Sequence, residues 1–221
     1  MRTELTIVAS ADRSPRIDAV GGLAARLTGP DTVHMIGTAA TPLGGDTLCI
    51  RIVVGAGATL SLHSVAASVA LPGRSVVESN AEWLVSVDEG GVLVFDPEPM
   101  VVAGNAIHHT RTRIEFAASS RIEYRERVQI GRVGENLGRW IGTMHTDVDG
   151  HAHLRHRVEL GVGTVGHDVL SAPRSLSSIL VYPDDRPAGA VGSSAVRMPL
   201  AAGGSLTTST GPALDALTLV P

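Results

Sequence analysis

Apolar residues recur at every second position along most of this chain, and a period of two restricts it to strands. In DTLCIRIVV, residues 46–54, Leu48, Ile50, Ile52 and Val54 share one face. Thr47, Cys49, Arg51 and Val53 share the other, which is the pattern of a half-buried strand. The alternation returns in ATLSLHSVAASVAL, AEWLVSV, GVLVF, IHHTRTRIEF, RIEYRERVQI, RWIGTMHTDV and HAHLRHRVEL. Gly-Ala-Gly, Pro-Gly, Glu-Gly-Gly, Ala-Gly-Asn, Gly-Glu-Asn and Asp-Gly separate these runs and supply turn chemistry. Helical signals are confined to GHDVLSAPR, starting near His167, and to TGPALDAL near the C-terminus. The chain therefore reads as all-β, with a small helical portion near the C-terminus. Ser and Gly dominate residues 187–211, which predicts a loose connector. This divides the chain into a β-rich region over 1–186 and a C-terminal region over 187–221 with a short terminal element.

Composition limits what such a β protein does. With 221 residues the chain can bury one sizeable core. Aromatics make up only 3%, so that core is built from Val, Ile, Leu and Ala, as between tightly stacked sheets. A net charge of −4 with scattered basic residues gives no footprint for nucleic acid or an anionic membrane. No apolar run approaches the roughly 18 residues of a membrane span. All 18 basic residues are arginine, which excludes Schiff-base and P-loop lysine chemistry. The N-terminal stretch lacks the apolar run of a signal peptide, so the cytoplasm is the simplest expectation. Cys49 has no second cysteine to pair with and is expected to be an inert core thiol.

Four places carry candidate chemistry. VFDPEPMVV, residues 94–102, sets Asp96 and Glu98 among Pro97 and Pro99 between apolar runs; these acids suit a turn, a partner surface or a metal. In RIEYRERVQI, Glu126 shares a face with Ile122, Tyr124, Val128 and Ile130, so a carboxylate is expected where burial demands a partner, with Arg132 or another arginine the natural candidate. In DVDGHAHLRH a two-residue Asp-Gly turn would place His151 and His153 on one face, about 7 Å apart, near enough to share a divalent metal or simply to face solvent. That pair suggests a cupin-like metal enzyme, although Glu159 falls too far along and no Pro-x-Gly-x-x-His follows. His108 and His109 are adjacent and point to opposite faces, so at most one serves any pocket. No Gly-x-Ser-x-Gly, no His-Glu-x-x-His and no lysine-bearing phosphate loop is present; GVGTVG at 161–166 only imitates the last.

Several ordered blocks carry a resemblance to a known family. GGDTLCIRIVVGAGATLSLHSVAASVALPG, residues 44–73, resembles the opening block of the UreD (UreH) urease accessory proteins. RERVQIGRVGENLGRW, residues 125–140, resembles the family's Glu-containing strand ending in Gly-Arg and followed by Gly-Glu, with Glu126, Gly131, Arg132, Gly134 and Glu135 at the matching positions. DPEPMVV looks like the actinobacterial form of a segment that is Pro-Gln-Glu in most members, its glutamate displaced by one position. The family's Thr-Thr-Pro-Ala-Ala-Thr-Lys run is Ser64 to Ser68 here, without the lysine.

The resemblance implies a β-helix-like stack of short strands. It also implies a non-catalytic scaffold that joins the UreF and UreG accessory proteins to apo-urease. Such a scaffold assists transfer of nickel, as a transient cargo, through a polar internal passage. On that reading Asp96, Glu98, His151 and His153 are the candidate nickel ligands. Glu126, Gly131, Arg132, Gly134 and Glu135 then hold structure or a partner. The competing readings are the cupin-like enzyme and a generic β interaction module.

Overall fold

A computed structural model describes residues 1–169, 171–192 and 194–214. Five strands, β1 (Arg2–Ser10), β5 (Thr47–Val54), β8 (Glu78–Val87), β11 (Ile107–Phe116) and β13 (Arg139–Val148), run parallel and side by side. Antiparallel β2 (Arg13–Val20) and β14 (His151–Gly161) flank them and complete a seven-stranded sheet. Opposite lies a second sheet whose parallel centre is β4 (Thr32–Gly37), β6 (Thr59–Ser64), β9 (Val92–Asp96) and β12 (Arg121–Ile130). Antiparallel β3 (Leu23–Leu27) edges it on one side and β15 (Ser175–Tyr182) continues it on the other. The chain thus coils from first sheet to second and back, a β-solenoid-like stack of about 4 turns. The all-β, β-helix-like expectation holds.

Alternation explains the burial. Leu48, Ile50, Ile52 and Val54 of β5 are buried, while Thr47 and Arg51 are exposed. Leu60 and Leu62 of β6 and Leu93 and Phe95 of β9 meet them from the other sheet in one continuous core. Each fully buried aliphatic side chain contributes on the order of 2 kcal/mol. The few rings are concentrated inside: Phe95 stacks on Tyr124 at 4.2 Å and takes the edge of Trp83 at 5.1 Å. Phe116 and Tyr182 pack edge-on at 4.7 Å. Trp140 is buried and donates from Nε1 to Thr110 Oγ1 at 3.0 Å. Two positions along, Gly142 makes room for it, since a Cβ there would lie 2.0 Å from the indole.

The second sheet is interrupted, and the interruption falls at DPEP. β9 pairs with the first half of β12, through Tyr124 opposite Phe95, whereas β10 (Met100–Val102) pairs with its last residues, from Val128 opposite Met100. Residues 96–99 therefore lie opposite residues 125–127, four against three. One coil earlier, residues 64–67 fill the same gap between β6 and β7 (Ser68–Ala70). Pro97 and Pro99 have no N–H to donate, so the ladder cannot be continuous there. The prolines open the wall.

Three expectations are corrected. The Gly/Ser-rich connector is instead β16 (Gly189–Val191), β17 (Ala195–Pro199) and β18 (Ser205–Gly211), with β18 paired to β15 along its whole length. Its serines and threonines are small enough to be buried against β15, whose own Ser175, Ser177 and Ser178 are buried too. Cys49 is not a core thiol: it is half-exposed, because it belongs to the outward set of β5 with Arg51. The helix expected from near His167 is a single turn, Gly166–Val169, and TGPALDAL runs past residue 214, outside the described residues.

Candidate functional site

Beneath the interruption, between the sheets, lies a cavity of about 390 Å³. Leu48, Ile50, Ala81, Trp83, His108 and Thr110 line it from the first sheet. From the second come Phe95, Tyr124 and Glu126, and at the gap itself Val65, Pro97 and Glu98. The lining thus runs from fully buried His108 to exposed Val65 and Glu98, so the space communicates with solvent through the split wall.

Glu126 enters the cavity because β12 keeps its period of two through the gap, with Ile122, Tyr124 and Val128 buried on the same side. The expected pairing with Arg132 does not form. Arg132 is held by Glu135 three residues on, and no described side chain donates to Glu126. Glu126 as a residue is half-buried, yet protein packs closely around its carboxyl, and that burial pushes its pKa up to about 7. The neighbouring Tyr124 hydroxyl is raised by its own burial first and then by Glu126.

His108 lines the same cavity from the first sheet. Sequence reasoning left open which of His108 and His109 would serve a pocket, and the inward set of His108, Thr110, Thr112 and Ile114 settles it. Its Nδ1 lies 2.9 Å from Ser79 Oγ, and its Nε2 is buried with no hydrogen-bond partner. Burial first, and His109 second, lower its pKa to about 4. His109 points the other way, with Nε2 3.6 Å from Glu78 Oε2.

The arginines beside Glu126 turn outward. Arg127 donates from Nη2 to Asp96 Oδ1 at 2.6 Å and to the Pro97 carbonyl at 2.7 Å, and Arg125 Nε lies 3.5 Å from the same Asp96 oxygen. Asp96 therefore clasps the gap from outside. Glu98 is exposed at the cavity rim, and its N–H donates to Ser64 Oγ at 2.9 Å. Asp96 and Glu98 have separate surroundings.

His151 and His153 do not form the pair expected of them. A bulge in β14 leaves His153 unpaired between Ala152, opposite Asp147, and Leu154, opposite Thr146, with His151 exposed and His153 buried. His153 Nδ1 lies 2.7 Å from Thr146 Oγ1 and Nε2 2.7 Å from the Gly203 carbonyl oxygen, so both its nitrogens are engaged. The cupin-like arrangement has no geometry here. Among the described residues no group of three or more His, Cys, Asp or Glu is placed to hold a metal ion.

The GRVGE turn is a staple. Glu135 accepts from Arg132 Nε at 3.0 Å, from the Arg132 N–H at 3.1 Å and from the Gly104 N–H at 2.9 Å, which holds its carboxyl down to about 2, the Arg132 side chain being the largest cause. Gly131 has φ +77°, and a Cβ there would lie 2.3 Å from the Glu135 carbonyl oxygen. Gly134, at φ +81°, turns in open space. Arg174 closes the staple, donating to the Ile130 carbonyl at 2.9 Å and to that of Glu135.

Fold and site together define a coiled β scaffold enclosing a cavity in which, among the described residues, no side chain donates to Glu126 and His108 Nε2 has no hydrogen-bond partner. Comparison with known proteins places that scaffold. The family model for the UreD urease accessory protein matches residues 22–203. Urease accessory protein UreD 1 of Saccharopolyspora erythraea is 38% identical over 202 residues, covering 89% of this chain and 78% of that one. The UreD proteins of Frankia alni and Streptomyces avermitilis are 37% and 34% identical over 211 and 218 residues, covering 85% and 93% of this chain and 70% and 86% of theirs. The chain belongs to the UreD family of urease accessory proteins.

Proposed function

We propose that this protein has no turnover of its own and acts as a cytoplasmic scaffold, joining UreF and UreG accessory proteins to apo-urease and assisting nickel insertion into the urease active site. The observation that carries the nickel reading is the cavity, where Glu126, without a side-chain donor among the described residues, and His108, with a free Nε2, supply oxygen and imidazole donors to a transient cation. Such an incomplete donor set suits a cargo that must leave again. Glu98 at the rim belongs to the entry of this path, whereas Asp96 is committed to Arg127 and keeps the gap in shape.

The partner reading rests on the stacked turns that return the chain from the second sheet to the first. Val76, Val77, Val133 and Leu137 are exposed there, Val162 and Val165 are exposed on the crossing from β14 to β15, and large apolar surface of this kind marks a contact with another protein. The test is co-expression with UreF-like and UreG-like partners and urease, followed by affinity capture and nickel analysis. Deleting this chain should leave urease expressed but poor in nickel and inactive. Normal nickel loading without it would sink the proposal.

A further inference from the structure

We propose that His34 and His63 form a separate two-imidazole site for a divalent transition-metal cation on the outer face of the second sheet. Both point away from the core: Val33 and Met35 on either side of His34 are buried, as is Leu62 before His63. The parallel pairing of β4 with β6 sets the two residues directly side by side. Their ring centroids are 5.3 Å apart with planes inclined by 31°. Two imidazoles that share one cation at about 2.1 Å from each nitrogen hold their centroids roughly 5 Å apart.

Hydrogen bonding aims the remaining nitrogens. His63 Nδ1 lies 3.1 Å from the Asp96 carbonyl oxygen, which only accepts, so Nδ1 carries the proton and Nε2 presents its lone pair. His34 Nδ1 lies 2.7 Å from Thr28 Oγ1, and that hydroxyl also reaches the Thr32 carbonyl at 3.5 Å. With the hydroxyl donating to Thr32, His34 takes the same tautomer as His63. The flanking charges are occupied: Arg26, next to His34 in the row, donates to the Ala25 carbonyl at 2.9 Å, and Asp96, next to His63, is taken by Arg127. Asp96 thus orients His63 through its backbone while its carboxylate stays out of the coordination sphere. Two imidazoles with the other positions left to water select Ni²⁺, Zn²⁺ or Cu²⁺ over Mg²⁺.

The site is independent of the cavity and of the proposed nickel delivery, and the test keeps them apart. Ni²⁺ and Zn²⁺ are titrated calorimetrically, each alone, into the purified full chain and into His34→Ala, His63→Ala, the double variant and Glu126→Gln. Each single variant should weaken one binding event by about tenfold or more. The double variant should lose one equivalent of metal, and Glu126→Gln should retain it. On the unaltered protein, Zn²⁺ should shift the imidazole nitrogen resonances of His34 and His63 together. Unchanged stoichiometry and affinity in the double variant, a shift at only one ring, or no metal uptake by the unaltered chain would each overturn the site.

Discussion

Burial shifts two cavity residues, Glu126 and His108, in opposite directions. Glu126 has its pKa raised from 4.5 to about 7 by burial, so its contribution to stability is full below pH 4.5 and is lost as pH rises through 7. His108 has its pKa lowered from 6.5 to about 4, so its contribution is full above pH 6.5 and is lost as pH falls through 4. Each is worth on the order of 3 kcal/mol at its limit, and over the shared interval they cancel. Glu126→Gln removes one arm. It should stabilise the protein by on the order of 2 kcal/mol at alkaline pH, leave it unchanged near pH 4.5, and expose an acid loss due to His108. Urea unfolding across this range measures it; equal midpoints for variant and parent at alkaline pH would show that Glu126 is not desolvated.

At the scale of elements, the gap in the second sheet is held by one clasp. Arg127→Ala removes both the contact to Asp96 and that to the Pro97 carbonyl. Its coupling to Asp96→Ala in a double-mutant cycle should be about 1 kcal/mol, since the pair is partly solvated. Thermal unfolding of the two singles and the double measures it, and strictly additive effects would mean that the Asp96–Arg127 contact contributes nothing. Gly131→Ala acts elsewhere: with φ +77° and the Glu135 carbonyl in the way, it should cost about 2 kcal/mol or more. Equal stability of Gly131→Ala and Gly134→Ala would refute the crowding argument, because position 134 has open space.

How much of this was legible in the sequence follows from the same elements. The strand period placed Leu48, Ile50, Ile52 and Glu126 correctly, because alternation is local. It also showed that only one of His108 and His109 turns inward. The partner of Glu126 is not legible, because spacing along the chain says nothing about which turn closes on itself, and Arg132 pairs with Glu135 three residues away. His153 was misread because a bulge moves one residue without leaving a mark in the alternation. The pairing of His34 with His63 was invisible, since stacking of coils brings together residues nearly thirty apart.

For the whole molecule, the stacked return turns carry the proposed partner surface. Val133 is fully exposed, so Val133→Asp should leave the unfolding midpoint unchanged while abolishing co-purification with the UreF-like partner. Retained co-purification would move the contact elsewhere. The isolated chain, with a mean hydropathy of +0.19 and this apolar edge uncovered, should be recovered in higher soluble yield when the partner is co-expressed. A well-behaved monomer obtained alone would count against it.

The parallel stack has a further consequence. Among the described residues, the strands of each coil pair with those of the coil on either side, as in a one-dimensional array, so opening can begin at an end and proceed rung by rung. Amide hydrogen exchange should therefore be graded along the array: slowest in β8 and β11, which have neighbours on both sides and lie at its middle, and faster toward β2 and β3 at its edges. Uniform protection would mean instead that the stack opens as one unit. A graded profile would make the chain a spring-like rod, stiff at the waist where the cavity sits and loose at the first rung, with rigidity set by position in the pile and not by the identity of any single side chain.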